Sequence, residues 1–157
     1  MDRREFLTGA LTATVAAAAA ARAEARGAGA PVAALAAADA AARDPKLAKA
    51  AETARACLDT GDACVRHCVD LLGQGDTSLA KCLRTVLDMS AACDGLARLA
   101  SYADAPTPNL RAYAKVCGDY CRDCAAACKK HADHHAVCKA CMESCEECLK
   151  ACEALAA

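Results

Sequence analysis

Aromatic residues are nearly missing: 3% of 157 residues, with no Trp, one Phe (Phe6) and three Tyr. A large aromatic-lined substrate pocket is excluded on that ground. An excess of charge of either sign is also missing, because 19 Lys and Arg stand against 20 Asp and Glu. There is thus no basic footprint for nucleic acid and no acidic tail. β-branched residues are scarce, while Ala, Leu, Lys, Arg and Glu dominate. That composition argues against a β-rich fold. The longest apolar stretch, Gly9 to Ala21, is too short and too weak to span a membrane. What is abundant is small and apolar: 56% of residues are hydrophobic, and 14 are cysteines, all between Cys57 and Cys152. The length makes one domain the default.

Residues 1–25 read as a cleaved export signal. Arg3-Arg4-Glu5-Phe6-Leu7 resembles a twin-arginine motif, and small-x-small cleavage sites end at Ala23 and Ala25. A periplasmic or otherwise exported protein is expected, with no membrane attachment after cleavage. Residues 26–44 form an Ala-rich leader or short helix, and residues 45–157 form the folded domain.

Breaks divide that domain into four helices. Asp44-Pro45 starts the first, as N-cap and first helical residue, and Gly73-Gln74-Gly75 ends it. The helix spans Lys46 to Leu72, interrupted only by Gly61. Asp76 caps a second helix from Thr77 to Tyr102. Thr107-Pro108 opens a third that runs to His131, and Asp133 caps a fourth that runs to Leu155. Long helices with short loops predict an all-α, antiparallel up-down-up-down four-helix bundle.

The cysteines occupy one stripe on each helix. At 100° per residue, Cys57, Cys64 and Cys68 span an arc of about 40°, and Cys82 and Cys93 about 20°. Cys117, Cys121, Cys124 and Cys128 span about 60°; Cys138, Cys141, Cys145, Cys148 and Cys152 span about 80°. Leu47, Leu79, Met89, Leu96, Leu110 and Tyr113 share these stripes, so the thiols point into the bundle.

Four readings apply to such a column. Packing alone explains a few buried cysteines, not 14 at nearly every layer. A disulfide scaffold fits the composition. However, neighbours at i,i+3 and i,i+4 have Cβ atoms about 5–6 Å apart, too far to bridge within a helix. Cross-helix disulfides, and with them a disulfide-cycling redox protein, stay open. A structural zinc site closes with four ligands, so the supply exceeds one or several such sites. A thiol-rich Zn(II) or Cd(II) buffer or detoxification protein is the alternative within metal binding. Cu(I) is soft and prefers thiolate and thioether ligands. If each ion takes two thiolates and each thiolate bridges two ions, the column holds roughly one ion per cysteine. Five Cys-x-x-x-Cys pairs, 64/68, 117/121, 124/128, 141/145 and 148/152, set thiolates one turn apart. Monovalent ions also cancel the thiolate charge, which would otherwise be prohibitive in a buried core. No Ser/His/Asp set, nucleotide loop, Cys-x-x-Cys-His haem motif or Glu-x-x-His pair occurs, so no enzyme is expected.

The run Cys57-Leu58-Asp59-Thr60-Gly61-Asp62-Ala63-Cys64-Val65-Arg66-His67-Cys68 resembles the exported bacterial copper storage proteins. So does Cys138-Lys139-Ala140-Cys141, continued through Cys145, Cys148 and Cys152. The resemblance implies a four-helix bundle filled with Cu(I)–thiolate sites, a homotetramer and a twin-arginine signal. It implies storage for a copper enzyme, and a copper-donor or copper-acceptor protein as partner. Cys117 looks additional, and Leu71, Gln74 and Leu79 stand where the family carries Met.

The two ends of the predicted bundle differ. His67, His131, His134 and His135 fall near the helix 1–2 and helix 3–4 loops. Leu47, Leu96, Leu99, Leu110 and Tyr113 fall at the other end as an apolar plug. Copper is expected to enter at the histidine end, with His67 as a ligand beside Cys68. The remaining histidines read equally well as solvated loop residues, and Met89 reads as core filler.

Overall fold

A computed structural model of the chain describes residues 43–157. The segments expected to be an export signal (residues 1–25) and, for nearly all its length, a leader (residues 26–44) lie outside the described residues.

Four helices make up the described chain: α1 (Pro45–Gly73), α2 (Ala80–Tyr102), α3 (Pro108–Lys129) and α4 (Ala136–Ala156). Asp44 accepts a hydrogen bond from the Lys46 backbone N–H at 2.8 Å, with Pro45 opening α1. Thr107 does the same for α3, accepting from the Leu110 N–H at 3.2 Å ahead of Pro108. In both cases a short side chain satisfies an N–H that the first turn leaves unpaired. Gly75 ends the α1 turn with φ +89°, a conformation that costs glycine little. The Asp76 N–H then donates back to the Leu71 carbonyl at 3.0 Å.

Three boundaries differ from the sequence expectation. Asp76 accepts from the Ser78 N–H at 2.9 Å and shapes a turn, but α2 begins only at Ala80, with Leu79 as an N-cap that makes no side-chain bond. The third helix stops at Lys129, two residues short of His131. There the His131 N–H donates to the Cys128 carbonyl at 2.9 Å, tightening the chain into turns. Asp133 lies within those turns and caps nothing; His135, in extended backbone, precedes α4.

Each helix packs against its chain neighbours, and α4 closes back on α1. With short connections at 74–79, 103–107 and 130–135, this is the antiparallel up-down-up-down bundle. Gly61 does not interrupt α1. It faces α2, where a Cβ would come within 3.0 Å of Ser90 Oγ and 3.1 Å of Met89 Cε. Gly118 does the same between α3 and α4, where a Cβ would lie 3.2 Å from the Cβ of Cys152. Absent side chains thus let the helices approach closely.

The interior is mainly cysteine and alanine. Leu47, Ala50 and Ala54 of α1, Leu96 and Ala100 of α2, Leu110 and Ala114 of α3 and Leu155 of α4 close the end away from the histidines. Leu99 is not part of this plug: it is 48% exposed. Tyr113 is half-buried over α2 and donates its hydroxyl hydrogen bond to the Ala92 carbonyl at 3.2 Å. Among the described residues, no helix is long and apolar enough to cross a membrane.

Candidate metal centre

All 14 cysteines are free thiols with zero solvent exposure. The stripes read from the sequence therefore do converge on the bundle axis. From the histidine end inward, the column runs from Cys68 and Cys138 through Cys64, Cys82, Cys128, Cys124 and Cys141. It continues through Cys57, Cys145, Cys93, Cys121 and Cys148 to Cys117 and Cys152, which abut the plug.

The thiols gather across helices more than along them. Cys57, Cys93, Cys121 and Cys148 form a four-membered group with one sulfur from each helix. Cys64, Cys82 and Cys128 unite α1, α2 and α3, while Cys117, Cys148 and Cys152, and Cys124, Cys128 and Cys141, unite α3 and α4. Within each group every sulfur lies within 4.8 Å of the others. Cys68, Cys138 and Cys145 belong to none of the four groups, although Cys145 Sγ lies 3.5 Å from Cys57 Sγ. The closest pair given by hydrogen bonding, Cys82 and Cys128, is 3.4 Å apart, well beyond a disulfide bond. Of the Cys-x-x-x-Cys pairs, 124/128 and 148/152 fall within groups. The cross-helix partners could not be read from spacing, because spacing carries no information on the relative rotation of two helices.

Burial and thiol–thiol contact set the protonation of the empty column. Removal from water disfavours a thiolate. Cys68 is pushed up to about 12 and Cys138 to about 11, first by burial and then by the neighbouring charge at Cys82. Cys93 rises through its hydrogen bonds with Cys117 and Cys121, and Cys128 through those with Cys124 and Cys141. Cys82, hydrogen-bonded by Cys128 and Cys64, goes the other way, to about 3.

The rise at Cys68 and Cys138 has a consequence for stability. A thiol harder to ionise in the fold than in the unfolded chain stabilises the fold fully below the unfolded value, near 9.0. That contribution is lost as pH rises from there through about 11 and 12. Urea unfolding of the copper-free protein at stepped pH should therefore show stability falling above pH 9. An unchanged midpoint across that window would contradict the assignment.

His67 is half-buried at the histidine end of the column, with Nε2 2.9 Å from Nδ1 of His135. Their ring centroids lie 4.8 Å apart, and those of His131 and His135 6.4 Å apart. His134 is exposed. Thus His67 joins His135 and belongs to none of the thiol groups. The sequence places the four histidines at one end but carries no signal for the His67–His135 pairing. Asp76 stands near this cluster. Its carboxyl is held below the usual range first by the Ser78 N–H, with smaller contributions from His135 and His131.

A family model described as copper storage protein matches residues 43–157. A cytosolic copper storage protein from Streptomyces lividans, loaded with five coppers, is 30% identical with a TM-score of 0.64, over 71% of this chain and 92% of that one. The copper storage protein Ccsp from the same organism, loaded with 10 copper equivalents, is 29% identical with a TM-score of 0.63, over 71% and 83%. A histidine-to-alanine mutant of Ccsp is 29% identical with a TM-score of 0.65, over 73% and 96%. No curated protein matches.

These relatives correct the expectation of an exported-branch, periplasmic protein: the first is described as cytosolic. The cysteine pattern quoted for the exported branch lies inside the bundle, and a thiol core does not distinguish compartments. The remaining signal was a few N-terminal residues outside the described structure. A helical bundle lined by fourteen buried thiols, matched by the family model along its whole described length, places this chain in the copper storage protein family, whose role is thiolate-based Cu(I) storage and not catalysis.

Proposed function

We propose that all 14 cysteines from Cys57 to Cys152 are Cu(I) ligands and that the filled bundle holds about one ion per thiol. The observation carrying this reading is that every thiol is reduced and withdrawn from solvent into one column. Equal numbers of monovalent cations and thiolates leave that column neutral, which a dry interior requires. The copper-loaded relatives, with five coppers and with 10 equivalents, support a store of many ions.

Ions enter between His67 and His135, where two imidazoles adjoin the column, whereas the opposite end offers only leucine and alanine. Imidazole is a suitable transient copper ligand, and the pair stands directly before Cys68 and Cys138. His67→Ala should slow loading or cost about one ion. Stopped-flow uptake and final stoichiometry identical to those of the wild type would exclude the role.

The bundle of residues 45–157 is the copper-binding domain, and it assembles as a homotetramer. Exposed Leu99, Tyr102, Val116 and Tyr120 provide apolar surface for that contact. A copper-donor or copper-acceptor protein meets the histidine end. The deciding experiment is titration of reduced protein with Cu(I) against a competing chelator, with helicity followed throughout. Uptake near one ion per thiol with constant helicity is expected; saturation after a few ions would overturn the reading.

A further inference from the structure

The four-thiol group is built differently from the three-thiol groups. Its sulfurs, from Cys57, Cys93, Cys121 and Cys148, come one from each helix and surround a point on the bundle axis. Cys93 Sγ lies 3.7 Å from Cys121 Sγ and 3.9 Å from Cys148 Sγ. A regular tetrahedron with metal–sulfur bonds of about 2.3 Å has sulfur–sulfur edges of about 3.8 Å. Two edges of such a tetrahedron therefore exist before any ion arrives, and no other pair in the group exceeds 4.8 Å. Cu(I) accepts two or three thiolates, so a closed four-sulfur cage is more than it needs. Zinc and cadmium, with filled d shells, favour four.

We propose that Cys57, Cys93, Cys121 and Cys148 form a tetrathiolate site for one divalent zinc-like cation, zinc or cadmium, in the copper-free protein. Binding is ligand exchange without redox. Four thiols bind one dication, four protons leave to solvent, and the complex carries a net charge of about −2. Two neighbouring thiols moderate that charge. Cys117 Sγ lies 3.7 Å from Cys93 Sγ, and Cys145 Sγ lies 3.5 Å from Cys57 Sγ. Keeping their protons, they donate S–H hydrogen bonds to the thiolates.

The same geometry limits the stoichiometry. Cys117, Cys148 and Cys152 share Cys148 with the cage, so that group is used up when the cage fills. The remaining two groups share Cys128 and supply only three sulfurs each. With every thiol at zero exposure, bulk solvent does not reach either group. The site is independent of how many Cu(I) ions the column stores.

The test is a titration of reduced, copper-free full-length protein with cadmium-113. Thiolate-to-cadmium absorption, proton release and cadmium NMR are followed, with helicity as a control. The expected result is one tightly bound ion per chain, about four protons released, and a resonance in the four-sulfur range. In Cys93→Ser, affinity should fall roughly 100-fold or more, beyond the effect of losing an outer-shell partner. Val86→Ala, which also truncates a fully buried side chain of α2 but removes no ligand, should bind as the wild type does. Should Cys93→Ser lose its helicity, Cys121→Ala takes its place. Several ions of equal affinity, a resonance with fewer sulfurs, or equal behaviour of the Cys93 and Val86 variants would overturn the proposal.

Discussion

Loading with Cu(I) should raise the unfolding midpoint of this bundle by tens of degrees. A ligand at 100 times its dissociation constant that binds only the folded state adds about 2.7 kcal/mol. For one ion on a domain of this size, that is about 10 °C. The thiol groups hold several ions, and the gains accumulate. The size of the effect depends on where the ligands come from. Thiols four residues apart could grip copper in the unfolded chain as well, which would cancel much of the gain. The observed groups draw sulfurs from two, three or four helices, an arrangement that an unfolded chain does not reproduce. Thermal and urea unfolding with and without copper measure the difference directly. Equal midpoints would mean that copper is held by pairs within single helices.

The second large effect is expected from Leu96→Ala. Truncating a buried leucine costs about 2–5 kcal/mol, through lost transfer energy and the cavity left behind. The upper half of that range is expected here. Leu47, Leu79, Met89, Leu96 and Leu155 are the largest fully buried side chains, and the surrounding core is alanine and cysteine. Leu47, Leu110 and Leu155 share the plug with Leu96, but Ala50, Ala54, Ala100 and Ala114 beside them have no side chain that can swing into the gap. Urea denaturation of the copper-free variant measures the loss. Copper capacity at saturation should stay unchanged, because Leu96 lies in the plug and offers no ligand. A loss below about 1 kcal/mol would mean that the plug collapses around the truncation.

Much of the fold was legible because the features that specify it are local. Asp44-Pro45 and Thr107-Pro108 carry their caps within three residues, and both helices start where those pairs place them. The stripes needed only the helical period. Asp133 shows where local reading stops: its sequence offers a cap, but the backbone bonds of His131, His134 and His135 tie up that segment as turns. Leu99 shows another limit. It lies near the plug along the chain, yet about 120° around α2 from Cys93, on the outer face. Leu155 completes the plug from α4, and its burial could have been read from the same wheel. The thiol groups were out of reach, since they depend on how four helices are rotated against one another. Compartment was misread for a different reason: it rested on Arg3-Arg4-Glu5-Phe6-Leu7, outside the described residues, and a buried sulfur column carries no mark of compartment to check it against.

The alanine–cysteine interior also bears on entropy. Alanine has no side-chain rotor to freeze, and cysteine has only one, so ordering this core costs less than ordering one of leucine and methionine. The empty bundle can therefore fold on modest apolar burial. Its thiols are then already fixed when copper arrives, and binding need not order them. Affinity that a flexible cysteine-rich peptide would lose to chain ordering is kept by a scaffold that has arranged its ligands beforehand.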